Sequence, residues 1–559
     1  MREIDRIMAL PRKDADDFPP NLEQELSACL RTSTPIPADL KNKVPEVLYP
    51  HQAKFLYRAL EAHRETKGKQ GVASDITVGG GKTLIGALIP VWCDFKRPML
   101  FVPSDVRDDT RALLDLYKPY WMHVPTTIIG YSELSCDRDN TLFELYRPDC
   151  IICDEVHALA NPDSARTKKF QRLVDANPDL PLFVLSGSIY SASIRKSWHI
   201  FKWAYGDKSP LPIRSHQAFL FAQATDPNKD GVVDYESIRM CHLDKLTDDR
   251  TDGWAVRAIG ERISTHPGFA SMDGVWDGVE LNISVTELGM EPECSQVLAE
   301  VEATRLRPDG EPLDDNDAAG IYRISNELSL GYWNSWDPWP TKEWRDARRA
   351  WLATVREVKS LSTRLDSEGA IKTAIRRGDK EVEGLAEILD KWEEQHALYN
   401  YRDKPHWVSK DTPAIRYAVD WIKRNPRGLV WVQAVPAAKM IAAQAGVPYF
   451  GDKQGLGKRP RVMDHKGPCV VSIDANNTGK NLQFEWNRNL VLTPKSNNKD
   501  NEQLIGRTHR SGQIYDVDVE FVVANKFQYD ALRSALNKAK FDEEISRKPQ
   551  KLTRKEWLK

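Results

Sequence analysis

The most constraining stretch of this 559-residue sequence is ASDITVGGGKTLIGALIP, where an apolar run feeds a glycine loop, a lysine and a threonine, and then an amphipathic helical pattern. Few folds satisfy that order. The apolar run becomes a buried strand, the glycines a tight loop, and the segment after them a helix laid back on the sheet. Gly79, Gly80 and Gly81 let backbone N–H groups approach an oxyanion with no side chain in the way, and the helix dipole adds positive potential there. Lys82 then places a charge on terminal phosphates, and Thr83 offers a hydroxyl to Mg²⁺. The full phosphate-loop pattern G-x-x-x-x-G-K-[ST] begins with glycine, whereas this chain has Ile76 there. A flexible glycine loop before a surface helix is the plainer alternative, so the choice falls to elements further along the chain.

The next such element is CIICDEVHALAN. An apolar strand delivers Asp154 and Glu155 at its C-terminal end, where ligands bind in open α/β sheets. Asp154 suits the Mg²⁺ shell, and Glu155 suits a general base that orients an attacking water. A third element, NEQLIGRTHRSGQ, places Arg507 and Arg510 one helical turn apart, with Gly512 available to cap that helix. The chemistry open to such a pair is that of arginine fingers reaching a γ-phosphate across a cleft. One finger is worth about 10³ or more in rate, roughly 4 kcal/mol.

Taken in order, the three elements resemble those of a superfamily-2 helicase. DEVH resembles its DEAH-like box, and QLIGRTHR, which opens on Gln503, resembles its last motif, Q-x-x-G-R-x-x-R. YPHQ, ending in Gln52, resembles the glutamine motif that reads adenine, and FVPSDV resembles the segment that touches the tracked strand through Pro103 and Ser104. LSGS, from Ser186 to Ser188, resembles the S-A-T-type coupling motif; NNTGKNLQF, with Thr478, Gly479 and Asn481, resembles the motif linking ATP state to the strand. Within the superfamily the sequence is most similar to the Swi/Snf group of duplex-DNA translocases, through THRSGQ, GKNLQ and Tyr131 in IIGYSEL. The group's D-E before M-G-L-G-K-T is replaced here by Ile76 and Thr77. The resemblance implies an α/β fold of two RecA-like parallel-sheet lobes that hydrolyse ATP with Mg²⁺ and move along DNA. It implies nucleic-acid contact at Pro103, Ser104, Ser188 and Thr478, and coupling through Ser186, Gly479, Asn481 and Gln503. Duplex DNA is favoured over single-stranded DNA, and other replication or recombination proteins are candidate partners. An RNA helicase and a non-motor nucleotide-binding scaffold stand as alternatives. The compact size and lack of accessory domains turn the expectation toward a bacterial or phage-encoded member.

Apolar runs extend both lobes: GVASDI, MLFVP, TTIIG, CIICDE and LFVLSGS in the first, LVWVQ, VPYF, CVVSI, NLVLT and VEFVVA in the second. The resulting plan is an N-terminal extension (1–45), an ATP-binding lobe (46–205), a mainly helical insertion (206–410), a second lobe with the arginines (411–526), and a C-terminal helix with a basic tail (527–559). The insertion carries GYWNSWDPWPTKEWRDARRAWL, whose Trp333, Trp336, Trp339, Trp344 and Trp351 read as helical core more readily than as base-stacking platforms. Arginine and lysine side chains from Arg345 to Arg377 fit either phosphate contacts or a solvated face.

Net charge is −2, from 79 basic and 81 acidic residues, so any nucleic-acid contact is a local groove. Cys150 and Cys153 are formally C-x-x-C, but on a buried strand they face opposite sides and form no redox or metal pair. Asp226, Asn228, Asp230 and Gly231 imitate a calcium loop, with Ser237 where the closing acid belongs, and read as a polar turn. The tail RKPQKLTRKEWLK reads as a solvated frayed end. No apolar run of about 18 residues exists to span a membrane, and the start MREIDRIMALPRKDADD lacks a signal-peptide core. The expected location is cytoplasmic, in the host cytoplasm if phage-encoded.

Overall fold

The apolar runs of the first stretch become strands of one sheet: β1 (Ala73–Ser74), β2 (Pro98–Val102), β3 (Thr127–Gly130), β4 (Cys150–Asp154) and β5 (Leu182–Leu185), joined by β6 (Phe269–Ala270). All its pairings are parallel, in the order β3-β2-β4-β5-β1-β6. The computed structural model describes residues 2–13, 17–41, 43–76, 80–136, 141–187, 189–190, 193–226, 234–271, 279–311, 313, 318–361, 365, 368–399, 402–451, 462–476, 480–510, 512–554 and 557–558. It divides into two units: 1–275 with 537–550, and 276–536 with 551–559.

Strands β2, β4 and β5 are continuous apolar runs because helices cover both faces of a parallel sheet. The two faces separate by residue parity. Met99, Phe101, Ile151 and Cys153 join one core, while Leu100, Val102, Cys150 and Ile152 join the other. The cysteine pair is thus split across the sheet, as the strand reading requires. β5 lies between β1 and β4, so one strand separates the glycine-loop strand from the acidic strand.

The second sheet is also parallel, in the order β11-β12-β10-β13-β14-β7. It comprises β7 (Leu281–Glu287), β10 (Gly428–Val432), β11 (Tyr449–Phe450), β12 (Cys469–Ser472), β13 (Arg488–Val491) and β14 (Val517–Val523); β8 (Tyr332–Asp337) and β9 (Arg402–Trp407) form a separate antiparallel pair. The architecture is therefore α/β, with two RecA-like parallel-sheet lobes, each of six strands.

The segment 206–410 is not one body. Helices Ser215–Thr225, Tyr235–Cys241 and Trp254–Ser264 bury Phe221, Ile238, Trp254 and Ile259 in the core of the first unit, and β6 extends that unit's sheet. From β7 to residue 536 the chain belongs to the second unit. The N-terminal extension also packs into the first unit, with Leu22, Leu26 and Leu30 beside Leu84 and Leu88. The tryptophan segment begins as strand, not helix. Trp333 and Trp336 lie on β8, which pairs with β9 residue for residue from Tyr332–Trp407 to Asp337–Arg402. Trp344 and Trp351 do form helical core, with Trp392, Ile371 and Leu389. Of the calcium-like loop, residues 227–233 lie outside the described residues; the Asp226 carboxylate accepts from Ser193 Oγ, and Ser237 Oγ donates to Asp234 Oδ2 at 2.6 Å. Among the described residues no helix is long and apolar enough to cross a membrane.

Candidate active site

The chemistry of the first unit collects where β1, β4 and β5 end. Gly81 caps the helix Lys82–Trp92 in a left-handed conformation, φ +72°, and a Cβ there would lie 2.2 Å from Gln52 Nε2. Glycine is therefore required on both conformational and steric grounds. Gln52 is buried and its amide is committed: Oε1 accepts from the Tyr49 N–H at 2.9 Å, and Nε2 donates to the carbonyls of Gly80 (3.2 Å) and Gly81 (3.3 Å). His51 Nε2 also lies 2.7 Å from the Gly80 carbonyl. In this structure Gln52 braces the phosphate-type loop. Gly79 lies outside the described residues.

Lys82 is buried, with its ammonium 2.8 Å from Glu155 Oε1 and 3.2 Å from the Ile76 carbonyl. Thr83 follows in the first helical turn, half-buried. Glu155 adopts φ +52°, a left-handed conformation that a non-glycine residue holds only at a cost of about 1 kcal/mol or more. Its N–H donates to the Leu185 carbonyl at 2.8 Å, which fixes the turn. Glu155 Oε2 is 3.2 Å from His157 Nδ1, and that nitrogen is 3.3 Å from Ser186 Oγ, so the imidazole bridges acid and serine. Burial pushes the Glu155 carboxyl up, but Lys82 and His157 outweigh it and hold the group well below the usual carboxylate range.

Asp154 shows the opposite balance. Burial pushes its carboxyl up to about 7, aided by Glu155 and opposed by Lys82. Its Oδ1 is buried with no hydrogen-bond partner, while its backbone carbonyl accepts from the Tyr131 hydroxyl at 2.9 Å. Two adjacent acids are thus driven apart, one firmly ionised and one near its titration point at neutral pH. The orphaned oxygen, with the hydroxyl of Thr83 one residue after Lys82, suits a hard divalent cation that takes its remaining ligands from substrate and water. Among the described residues, no cluster of three His, Cys, Asp or Glu side chains would hold a metal alone.

Several residues here escaped the sequence reading. His157 stood in the quoted DEVH but received no role. Asp75 follows β1 and is buried, and its Oδ1 takes the Lys548 ammonium at 2.6 Å. Lys548 belongs to the tail read as frayed; instead it enters the first unit, while Lys551 and Leu552 donate backbone N–H groups to the Glu502 carboxylate of the second. Trp557 stacks on Phe521 at 5.5 Å. The basic residues of this tail satisfy buried groups, which composition alone does not reveal.

The remaining motif residues are dispersed. Half-buried Pro103 and exposed Ser104 follow β2, with Ser104 Oγ 2.6 Å from Ser132 Oγ. Ser188, Thr478 and Gly479 lie outside the described residues, and Asn481 is exposed. The helix Asn498–Thr508 carries half-buried Gln503 and ends before Arg510, so the two arginines do not share a helical face and Gly512 does not cap it directly. Arg507 is buried and donates to the Lys480 carbonyl at 3.2 Å, tying this helix to the segment after Gly479. Arg510 has no carboxylate ion-pair partner among the described residues, and burial lowers its pKa.

No protein-family model matches the chain, and no curated protein does. Among solved structures it is similar to the Sulfolobus solfataricus SWI2/SNF2 ATPase core in complex with dsDNA, at 14% identity and a TM-score of 0.29, over 89% of this chain and 93% of that one.

Proposed function

We propose that this chain is an ATP-hydrolysing motor that moves along nucleic acid, with duplex DNA as its track. The observation that carries the reading is the meeting of Lys82 and Glu155 at 2.8 Å beside the unpartnered oxygen of Asp154. These groups come from two motifs far apart in sequence and meet at one end of the first sheet. Lys82 binds the terminal phosphates of ATP and in doing so releases Glu155. Glu155, already ionised, accepts a proton from the attacking water and orients it. His157 steadies the second carboxylate oxygen and connects it to Ser186, which gives the coupling motif a direct line to the base. Thr83 and Asp154 would hold Mg²⁺, which supplies charge neutralisation on the phosphates. Arg510, which has no carboxylate ion-pair partner among the described residues, is assigned to stabilising the charge that develops in transfer, and Arg507, which donates to the Lys480 carbonyl, to positioning. Pro103, Ser104, Ser188 and Thr478 are assigned to the strand by motif resemblance, and the THRSGQ ending favours DNA.

The test is ATP hydrolysis measured without nucleic acid and then with duplex DNA, single-stranded DNA and RNA at equal nucleotide concentration. Stimulation of about tenfold by duplex DNA, with little from RNA, is the expected result. Preference for RNA would keep the motor and replace its track. No turnover under any condition would overturn the enzyme and leave a nucleotide-binding scaffold.

A further inference from the structure

The inserted part of the second unit contains a pocket of about 590 Å³ that the motor reading does not use. It is built by the 305–313 segment, the helices Ala318–Ser329 and Lys342–Leu361, and strand β8, with no residue from the six-stranded sheet. Arg307, Arg323, Arg345, Arg348, Arg349 and Arg356 line it, against two acids among the described residues, Glu311 and Glu327. Four come from one helix at positions 345, 348, 349 and 356, a spacing that places them on a single face.

Much of the local acid is already engaged. Glu311 is shared by Arg345 and Arg349, and Arg307 pairs with Asp309 at 3.0 Å. Glu327 is half-enclosed and turned to β8, where it accepts from the Asn334 N–H and Nδ2, each at 3.0 Å. Burial raises its pKa, while the Asn334 hydrogen bonds and the charges of Arg323 and Arg307 act the other way. Arg323 and Arg348 have no ion-pair partner among the described residues. Arg348 instead lies over the rings of Trp336 (5.3 Å) and Trp344 (5.8 Å), whose apolar faces exclude water beside the guanidinium. Like charges held together beside a low-dielectric wall repel unless an anion joins them. Planar guanidinium forks match phosphate oxygens in pairs. The volume falls within the roughly 300–1,000 Å³ range of ligand sites and is too small for a duplex.

We propose that this pocket binds phosphate groups of a nucleic-acid strand, giving the second unit a contact built by its insertion and independent of the sheet. The identity of the strand rests on the motor reading; the anion site itself does not.

The test uses the full chain with Arg323→Gln, Arg348→Ala and the double variant, and with Arg348→Lys as a control that keeps the charge. Anisotropy of a labelled oligonucleotide is followed across salt concentration, alongside ATP hydrolysis without nucleic acid and thermal melting. The double variant is expected to lower the slope of log affinity against log salt by about 1 to 2 and to weaken binding about tenfold near 0.1 M salt. Melting and nucleic-acid-free turnover should stay at the parent's values, and Arg348→Lys should retain most of the slope. An unchanged slope in a double variant that melts like the parent would overturn the proposal. Competition by inorganic pyrophosphate separates the two sources of phosphate. If the variants lose pyrophosphate binding but keep the oligonucleotide slope, the site takes free anions and the strand assignment falls. If the parent binds no nucleic acid at all, the motor reading fails, and loss or retention of pyrophosphate binding in the variants decides the anion site by itself.

Discussion

The two lobes share a plan of six parallel strands between helices and differ in what stands at the strand ends. In the first, the ends of β1, β4 and β5 carry Asp75, Asp154, Glu155 and Ser186, with Lys82 and His157 closing around them. In the second, the ends of β10 and β13 carry Gln433 and Thr493, joined by a 2.9 Å hydrogen bond from the Gln433 N–H to Thr493 Oγ1. One lobe concentrates buried charge at these strand ends, and the other places neutral polar groups at the ends of β10 and β13. The comparison teaches that this fold leaves its strand ends open to chemistry without specifying any, and that reactivity comes from which side chains the loops bring there.

The largest effects should come from breaking that asymmetry in the first lobe. Lys82→Ala should abolish nucleotide binding and turnover together. Glu155→Gln should lower kcat by at least about 10²-fold while nucleotide affinity survives, because the amide keeps the shape and loses the base. Thr493→Val at the matching strand end of the second lobe should change kcat by less than threefold, about 0.7 kcal/mol. Steady-state kinetics with a fluorescent nucleotide titration separates these cases, and a large loss from Thr493→Val would break the comparison outright.

Next come the two arginines. Arg510→Ala should reduce kcat by about 10³ with little change in melting temperature, as removal of a charge-stabilising finger does. Arg507→Ala should instead lower the melting temperature, because it empties a buried position and strands the Lys480 carbonyl, about 1–3 kcal/mol. Equal kinetic and thermal effects for both would merge roles that the structure separates.

The third contrast concerns the tail. Lys548→Met leaves Asp75 buried beside the glycine-loop strand without its cation, at a cost of about 3 kcal/mol. Asp75→Asn combined with Lys548→Met should recover most of that loss, since neutralising both partners removes the stranded charge. Urea unfolding of the parent, Asp75→Asn, Lys548→Met and the double variant measures the coupling, and additive losses would show that the contact contributes nothing as a pair.

The sequence made the sheets legible but not their edges. Runs such as MLFVP, CIICDE and LVWVQ are apolar throughout because both faces are covered, and each became a strand. Phe269–Ala270 is too short to show a period, and LNISVTE alternates with polar residues because β7 lies at the edge of its sheet, so both were absorbed into the insertion. Trp333, Trp336 and Trp339 recur at a helical interval although β8 carries the first two; Pro338 and Pro340 were the signal of an extended chain. In the candidate site, Lys82, Asp154 and Glu155 were visible because their motifs are local. The Asp75–Lys548 pair joins residues 473 positions apart, and no local pattern reports such a contact. The arginine pair misled because a regular helix was carried past Thr508, where the chain turns.

The smallest contrast is the response to acid. His199 and His266 in the first lobe and His509 in the second are buried, and burial lowers each pKa from 6.5 to about 4. Each is neutral when folded and binds a proton more readily when unfolded. The unfolded state therefore holds more protons between pH 6.5 and 4, and stability is lost as pH falls through that window. At pH 5 the loss is about 2 kcal/mol per histidine. The first lobe, with two such groups, should fall further between pH 7 and pH 5 than the second, as read by denaturant unfolding with a fluorophore placed in each lobe. His199→Gln should flatten the acid response of the first lobe and leave that of the second unchanged, because the imidazole donates one bond, from Nε2 to the Leu159 carbonyl at 2.9 Å, which an amide can replace. A first-lobe acid response that His199→Gln leaves unchanged would remove buried histidine from the comparison.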